Sequence, residues 1–195
     1  MRAHLLDLND GVPNRGTAAL RGQLEHAGFG VDTWDVRQGN ELPPDREGVW
    51  VLGGGPGSPL QEGPWRAPLL AALRARVAED RPTLCICYGF EMLAAAMGSE
   101  LRRLTTPREG VYPVSLVAHD PAVEGLDGHG AWEARSWAVF GDFGRVFARG
   151  PELDVAGTRL GDHVLGVIFH PEADLGPETH AVYSRVVPRY LAGLR

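Results

Sequence analysis

The sequence has little cysteine, no long hydrophobic run and no excess of basic residues, and each absence removes a class of protein. Two cysteines in 195 residues are too few for a disulfide framework, so a reducing cytoplasm is the expected location. No apolar run approaches the roughly 18 residues that a membrane span needs, and the N-terminus has too short an apolar stretch for a secretory signal. The net charge of -6, with acidic and basic residues interleaved, offers no basic stripe for nucleic acid.

Apolar segments of two kinds alternate along the first half of the chain. Short runs typical of strands lie at 3–8, at 29–36, where apolar and polar residues alternate, and at 48–54 and 82–87, which are continuous enough for buried strands. Helical spacing is found at 17–28, with Thr17 as a possible cap, at 64–79, at 88–98, and at 177–194, where Pro188 is expected to kink or break the helix. This alternation predicts an α/β fold with an open, mostly parallel sheet flanked by helices. Strand-like pieces from about 101 to 169 predict an antiparallel strand-rich insert or extension, and residues 1–195 are expected to form one domain.

Both cysteines lie in the stretch Thr83–Met92, TLCICYGFEM, at a predicted strand-to-helix junction. Cys87 ends the strand, where a tight turn lifts a side chain clear of the sheet and the helix N-terminus lowers a thiol pKa. Unpaired N–H groups there, beginning with Tyr88, can donate to an oxyanion. Packing is the alternative role for a buried cysteine, and it is the role expected for Cys85.

Disulfide and metal chemistry are disfavoured for the two cysteines. A strand holds the Cα atoms of Cys85 and Cys87 about 6.5 Å apart in a poor orientation for a bridge. No second pair of ligands at a recognised spacing is present for a metal. Neither a metal nor another cofactor is therefore expected.

A second motif, GVIFHPEAD at 166–174, places His170 directly after an apolar strand, with Glu172 two residues later. An imidazole can take the proton of a thiol, and a carboxylate can orient that imidazole and stabilise its cation. A solvated histidine is the alternative reading of this motif alone.

A third motif, VWVLGGGPGSP at 49–59, is a glycine-rich loop at the end of a strand. Its backbone N–H groups can face a developing negative charge, although an ordinary glycine turn explains the motif equally well in isolation. No Gly-Lys-Ser/Thr follows, so it is not a phosphate loop.

Taken together, GGGPGSP (53–59), CICYGFE (85–91) and GVIFHPE (166–172) resemble the class I, triad-type glutamine amidotransferases, and in particular stand-alone domains similar to that of GMP synthase. The resemblance covers nearly the whole chain and implies that family's flavodoxin-like fold. It implies Cys87 as nucleophile, His170 as general acid/base and Glu172 as its orienting partner. It further implies an oxyanion hole formed by the backbone N–H groups of Gly55 and Tyr88.

The same resemblance implies a substrate pocket, and here the chain departs from the family pattern. Ser136 matches a Ser-His stretch that lines the glutamine pocket, but Trp137 replaces the usual histidine, and Trp137 is read equally well as a core aromatic. Glu91 stands where the family usually has glutamine. An ionised Glu91 would repel the α-carboxylate of a free amino acid by about 4 kcal/mol at 4 Å and an effective dielectric near 20, and it would attract an ammonium group.

Three hypotheses for function follow. The first is hydrolysis of glutamine through a γ-glutamyl thioester, with the ammonia passed to a separate synthase subunit, because 195 residues leave no room for a synthase domain. The second keeps the triad but acts on γ-glutamyl amines or peptides, or transfers another acyl group. The third is a non-catalytic regulatory subunit. All three imply a small-molecule ligand, and none involves nucleic acid or membrane.

Overall fold

A computed structural model describes residues 1–38, 42–44, 47–152 and 154–195 of the chain. The strands are β1 (Arg2–Asp7), β2 (Gly30–Asp35), β3 (Val49–Leu52), β4 (Thr83–Ile86), β5 (Glu100–Pro113), β6 (Gly130–Phe140), β7 (Arg145–Arg149), β8 (Val155–Leu160) and β9 (Val164–Val167). The helices are α1 (Arg15–His26), α2 (Arg66–Ala78), α3 (Tyr88–Ala96), α4 (Pro177–Tyr183) and α5 (Val186–Ala192). Every strand and helix predicted in the first half of the chain is present, with ends shifted by a few residues.

Seven strands form the main sheet, in the order β2-β1-β3-β4-β9-β8-β7. The neighbours from β2 to β9 in this order pair in parallel, whereas β8 and β7 complete one edge in antiparallel pairing. Strands β3, β4 and β9 are buried throughout, as expected where helices cover both faces of a parallel sheet. The predicted open, mostly parallel sheet is confirmed.

Strands β5 and β6 form a separate two-stranded antiparallel ribbon, whose register shifts between Arg103 and Arg108. The segment predicted to be one strand-rich insert is therefore divided between two sheets. Residues 100–140 contain the ribbon, and the remaining strands belong to the main sheet. Periodicity identifies strands but does not identify their partners, so the sequence pattern cannot make this division.

Two predicted helix ends are corrected by the structure. Helix α1 begins at Arg15, and its cap is Asn14, whose side chain accepts a hydrogen bond from the Gly16 N–H at 2.6 Å. Thr17, the predicted cap, lies inside the first turn. An asparagine before a helix caps it as well as a threonine does, so the pattern of apolar residues alone does not choose between them.

The C-terminal helix is broken as predicted, but the break lies before Pro188. Helix α4 ends at Tyr183 and α5 begins at Val186, so Pro188 sits in the first turn of α5. Proline is tolerated there, because the N–H groups of a first turn have no partner within the helix. Among the described residues, no helix combines the length and apolarity that crossing a membrane requires.

Candidate active site

Cys87 joins β4 to α3 at the C-terminal edge of the sheet. Its backbone has φ 51° and ψ -110°, a conformation that side-chain-bearing residues rarely adopt. The Cys87 N–H donates to the Val167 carbonyl on β9 at 2.9 Å, and its carbonyl accepts from the Glu91 N–H at 2.9 Å. The next strand and the following helix thus hold the turn on both sides, and the side chain is only slightly exposed.

Close packing behind Cys87 depends on a glycine in the first turn of α3. A Cβ atom at Gly89 would lie 2.6 Å from both the carbonyl oxygen and the Cβ of Leu52, at the end of β3. The Gly89 N–H donates to the Gly53 carbonyl at 3.1 Å. The helix start is therefore attached directly to the beginning of the glycine-rich loop.

His170 and Glu172 lie just beyond β9, next to the turn that carries Cys87. The His170 N–H donates to the Trp132 carbonyl on β6 at 2.8 Å, which fixes the backbone of the histidine. Its Nδ1 lies 2.7 Å from Oε1 of the buried Glu172. A carboxylate at this distance makes Nδ1 the protonated nitrogen and leaves Nε2 for chemistry.

The N-terminus of α1 lies behind Glu172. A Cβ atom at Gly16 would be 3.0 Å from Glu172 Oε1, so the first turn of the helix is in contact with the carboxylate. The positive end of a helix dipole stabilises a negative charge. The start of helix α1 is thus packed against the carboxyl group that contacts His170.

The surroundings of His170 favour its protonated form. Burial lowers the pKa of His170, but its interactions with Cys87 and Glu172 outweigh burial and raise that pKa well above its usual value. The arrangement suits transfer of a proton from the thiol to the imidazole.

The glycine-rich loop after β3 packs against the same imidazole. A Cβ atom at Gly54 would lie 2.7 Å from His170 Cε1, and one at Gly55 would lie 2.7 Å from the Leu8 carbonyl oxygen. Only glycine fits at such distances. The loop, Cys87 and His170, which the sequence motifs predict separately, therefore meet at one edge of the sheet.

The ribbon covers the site through its backbone. Cys87 Sγ lies 3.8 Å from the Ala134 carbonyl oxygen, and Trp132 binds the backbone of His170. The sequence does not reveal either contact, because a carbonyl group has no side-chain signature. Ser136 and Trp137 lie later on β6 and are half-buried, and their assignment to a substrate pocket stays a prediction.

Glu91 is buried in the first turn of α3. Burial raises its pKa to about 8, while Arg135 and His170 act in the opposite direction. Its carboxyl group makes no hydrogen bond to a described residue. Glu91 thus holds its proton at neutral pH, and the repulsion expected of an ionised carboxylate there is absent.

Arg135 is a buried cation that sequence reasoning missed. Its Nε lies 2.8 Å from Oε2 of Glu133, and its Nη1 lies 2.8 Å from Oδ2 of Asp154, just before β8. All three side chains are less than a tenth exposed. The pattern of β6 gives no sign of this burial, because arginine in a two-stranded ribbon is normally solvated.

No group of three or more His, Cys, Asp or Glu side chains in the described ranges is arranged to hold a metal ion.

A family model described as glutamine amidotransferase class-I matches residues 15–188, which is most of the chain. The chain belongs to this family. The resemblance that its three motifs carry is thereby confirmed, and the matched residues include Cys87, His170 and Glu172.

Two curated relatives of this amidotransferase domain are GMP synthases. A glutamine-hydrolysing GMP synthase from Aeropyrum pernix is 33% identical over 150 residues, which are 75% of this chain and 27% of that protein. One subunit of the glutamine-hydrolysing GMP synthase from Sulfurisphaera tokodaii is 29% identical over 126 residues, which are 63% of this chain and 65% of that subunit. The chain therefore spans about a quarter of the first relative and just under two thirds of the second.

A solved structure of a glutamine amidotransferase from Thermotoga maritima superposes on the chain with a TM-score of 0.77. The sequences are 18% identical, and the match covers 99% of this chain and 94% of the other. This likeness establishes the class I amidotransferase fold.

Proposed function

We propose that the chain hydrolyses the side-chain carboxamide of glutamine through a thioester on Cys87. The observation that carries the proposal is the meeting of Cys87, His170 and Glu172 at one edge of the sheet, with His170 Nδ1 2.7 Å from Glu172. Membership of the class I amidotransferase family and the names of the two GMP synthase relatives support the choice of glutamine.

The proposed reaction has two halves. In the first, His170 takes the thiol proton of Cys87, the sulfur attacks the carboxamide carbon, and the N–H groups of Gly55 and Tyr88 donate to the resulting oxyanion. His170 then protonates the nitrogen, so that the C–N bond breaks and ammonia leaves a γ-glutamyl thioester. In the second half, His170 takes a proton from water, which attacks the thioester; glutamate is released and the thiol is restored.

Glu91, Ser136 and Trp137 are proposed to contact the rest of the substrate. A protonated Glu91 can both donate and accept hydrogen bonds, as an amide can, and does so without repelling the α-carboxylate of glutamine. The substitution of glutamate for the family's usual glutamine is then compatible with an amino-acid substrate below the pKa of Glu91.

A separate synthase subunit is the proposed recipient of ammonia. One of the two relatives is itself named as one subunit of a GMP synthase, and the chain matches 65% of its length. The identity of the acceptor molecule depends on the synthase partner rather than on the residues of this chain.

The test is glutamine hydrolysis by the purified chain, with Cys87→Ser and Cys85→Ala as a matched pair. Cys85 is fully buried on β4, two residues before Cys87, and burial raises its pKa far above the usual range. We expect Cys87→Ser to lose activity by at least about 1,000-fold and Cys85→Ala to retain it. A chloroketone analogue of glutamine should label Cys87, and glutamine should protect it.

Retention of activity by Cys87→Ser would remove the thioester from the mechanism. Labelling of Cys87 without protection by glutamine would instead favour a different acyl substrate.

A γ-glutamyl amine is the second candidate substrate, and Glu91 is the observation that favours it. An ionised carboxylate in the pocket would bind the ammonium end of such a substrate. A panel of γ-glutamyl amines assayed beside glutamine separates the two candidates, because preference for the amines should increase above pH 8, where Glu91 ionises.

A further inference from the structure

Arg37 lies in the turn that follows β2, with its side chain buried beneath the glycine-rich loop. Only 6% of the side chain is exposed, although arginine in a surface turn is normally solvated. None of the three motifs includes this residue. A buried guanidinium requires several partners, so its contacts indicate what it holds in place.

The guanidinium joins two carbonyl groups on either side of Gly55. Its Nη1 donates to the Pro56 carbonyl at 2.7 Å and lies 3.3 Å from that of Leu8, at the end of β1. A Cβ atom at Gly55 would be 2.7 Å from the same Leu8 carbonyl oxygen. Arg37 therefore ties the segment after β1, against which Gly55 packs, to the loop residue that follows Gly55.

Arg37 also contacts the far end of the glycine-rich loop and the residues at the starts of helices α2 and α3. Its Nη2 donates to Gln61 Oε1 at 3.0 Å and lies 3.6 Å from the carboxylate of Asp10. The guanidinium carbon is 5.6 Å from the ring centroid of Trp65 and 6.0 Å from that of Tyr88. Cations at such distances from aromatic faces are stabilised by the ring electrons.

Tyr88 links the glycine-rich loop to helix α3. Its hydroxyl donates to the Ser58 carbonyl at 3.0 Å, while its own backbone begins α3. Arg37 thus contacts the loop directly and also contacts the side chain of the residue that starts the helix.

We propose that Arg37 is a positioning residue, which fixes the loop of residues 53–61 against α3 so that the N–H groups of Gly55 and Tyr88 keep the spacing that an oxyanion needs. This inference rests on the proposed function. Donors to an oxyanion act only within about 2.7–3.1 Å of it. A loop with glycine at 53, 54, 55 and 57 has few side chains of its own to fix its conformation, so contacts from residues outside the loop are needed.

The experiment compares Arg37→Met and Arg37→Lys with the parent and with Arg21→Met. Arg21 also ties one element to another, because it donates to Val31 and Thr33 on β2, but it does not contact the loop. Lysine retains the charge but has a single nitrogen, which cannot bridge Leu8, Pro56 and Gln61 together. Two measurements are made: kcat and KM for glutamine, and hydrogen exchange of peptides covering 53–61.

We expect both Arg37 variants to lower kcat, by about 10- to 100-fold for methionine, with KM little changed, because the displaced donors act in the transition state. Exchange should become faster in residues 53–61 and stay unchanged in β1 and β4. The Arg21→Met variant should match the parent in both measurements.

Unchanged exchange of the loop in both Arg37 variants would overturn the inference, and so would faster exchange with an unaltered kcat. If Arg37→Met does not fold, the same two readouts in Arg37→Lys decide. If the parent does not hydrolyse glutamine, the proposed function fails, and the exchange measurement alone still determines whether Arg37 holds the loop.

Discussion

At the scale of single residues, the site contains two buried carboxyl groups in different surroundings. Glu172 lies 2.7 Å from an imidazole whose pKa is raised, and the first turn of α1 is in contact with it. Glu91 has no such hydrogen bond from a described residue, and burial raises its pKa to about 8. The two groups therefore differ in their partners: Glu172 contacts an imidazole, whereas burial without such a partner favours the neutral form of Glu91.

Glu91 predicts a dependence of stability on pH. The folded chain keeps the Glu91 proton up to about pH 8, whereas the unfolded chain loses it near 4.5. Because the folded state binds more protons between these values, the contribution of Glu91 to the free energy of unfolding falls as pH rises from 4.5 to 8 and is constant above. We expect Glu91→Gln to match the parent in thermal stability at pH 4.5 and to exceed it by several degrees at pH 9.

The control for this prediction is Glu62→Gln, since the side chain of Glu62 is 85% exposed. That variant should follow the parent at every pH. Under the proposed function, glutamine hydrolysis by the parent should also decline above pH 8, and the Glu91→Gln variant should resist that decline. Equal melting temperatures for parent and Glu91→Gln at both pH values would contradict the assignment of a neutral Glu91.

Residue-level features divide clearly into those that sequence reasoning finds and those that it misses. The motifs at the ends of apolar strands predict that Cys87, His170 and Glu172 lie together, and the structure brings them to one edge of the sheet, whereas their catalytic roles stay predictions. Arg135 and Arg37 are missed, because only tertiary packing reveals that a particular arginine is buried.

At the scale of secondary-structure elements, the contact between α3 and β3 sets the position of Cys87. Helix α3 begins against the carbonyl of Leu52, and only a residue without a side chain fits there. Nearly all of α3 is buried, so the close packing around the helix prevents it from shifting to make room for a larger residue.

We predict that Gly89→Ala destabilises the fold by about 1–3 kcal/mol, because the new methyl group overlaps backbone atoms that cannot rotate away. The matched control is Gly22→Ala on α1, where a Cβ atom meets nothing within 4 Å. That change should stabilise by about 0.5–1 kcal/mol through helix propensity. Denaturant unfolding of both variants measures the difference, and a Gly89→Ala variant as stable as the parent would show that α3 is not pressed against β3.

Elements are predicted from sequence more securely than their ends. The break in the final helix follows from its length and from Pro188, but its position three to four residues earlier depends on packing. The cap of α1 likewise depends on a hydrogen bond from Gly16 to Asn14 and not on apolar spacing.

At the scale of the whole molecule, the site lies where the ribbon meets the main sheet. Trp132 and Ala134 of β6 contact His170 and Cys87 through their backbones. Strand order brings β9 beside β4 although the ribbon and two further strands separate them in the chain. Sequence motifs suggest that Cys87 and His170 meet, whereas the contribution of the ribbon follows only from three-dimensional contacts.

The ion pair of Arg135 with Asp154 links the ribbon to the main sheet, and both side chains are almost fully buried. We predict that Asp154→Asn lowers the free energy of unfolding by about 3–5 kcal/mol, because it leaves a buried cation with one partner fewer. The control is Asp142→Asn, which removes an exposed partner of Arg149 and should cost less than about 1 kcal/mol.

Equilibrium unfolding in urea measures both changes. Similar small losses in the two variants would mean that the ribbon is held to the sheet by its other contacts.

The backbone of Cys87 is strained at the residue for which a reactive role is proposed. With φ of 51° and ψ of -110°, its backbone lies in a region that glycine occupies readily, and holding a residue with a β-carbon there costs about 1–3 kcal/mol. Under the proposed function, glycine at this point would relax the turn but remove the sulfur that attacks the substrate. Under that function, the backbone strain lies at the residue that reacts, and sequence changes that favour stability alone would remove the activity.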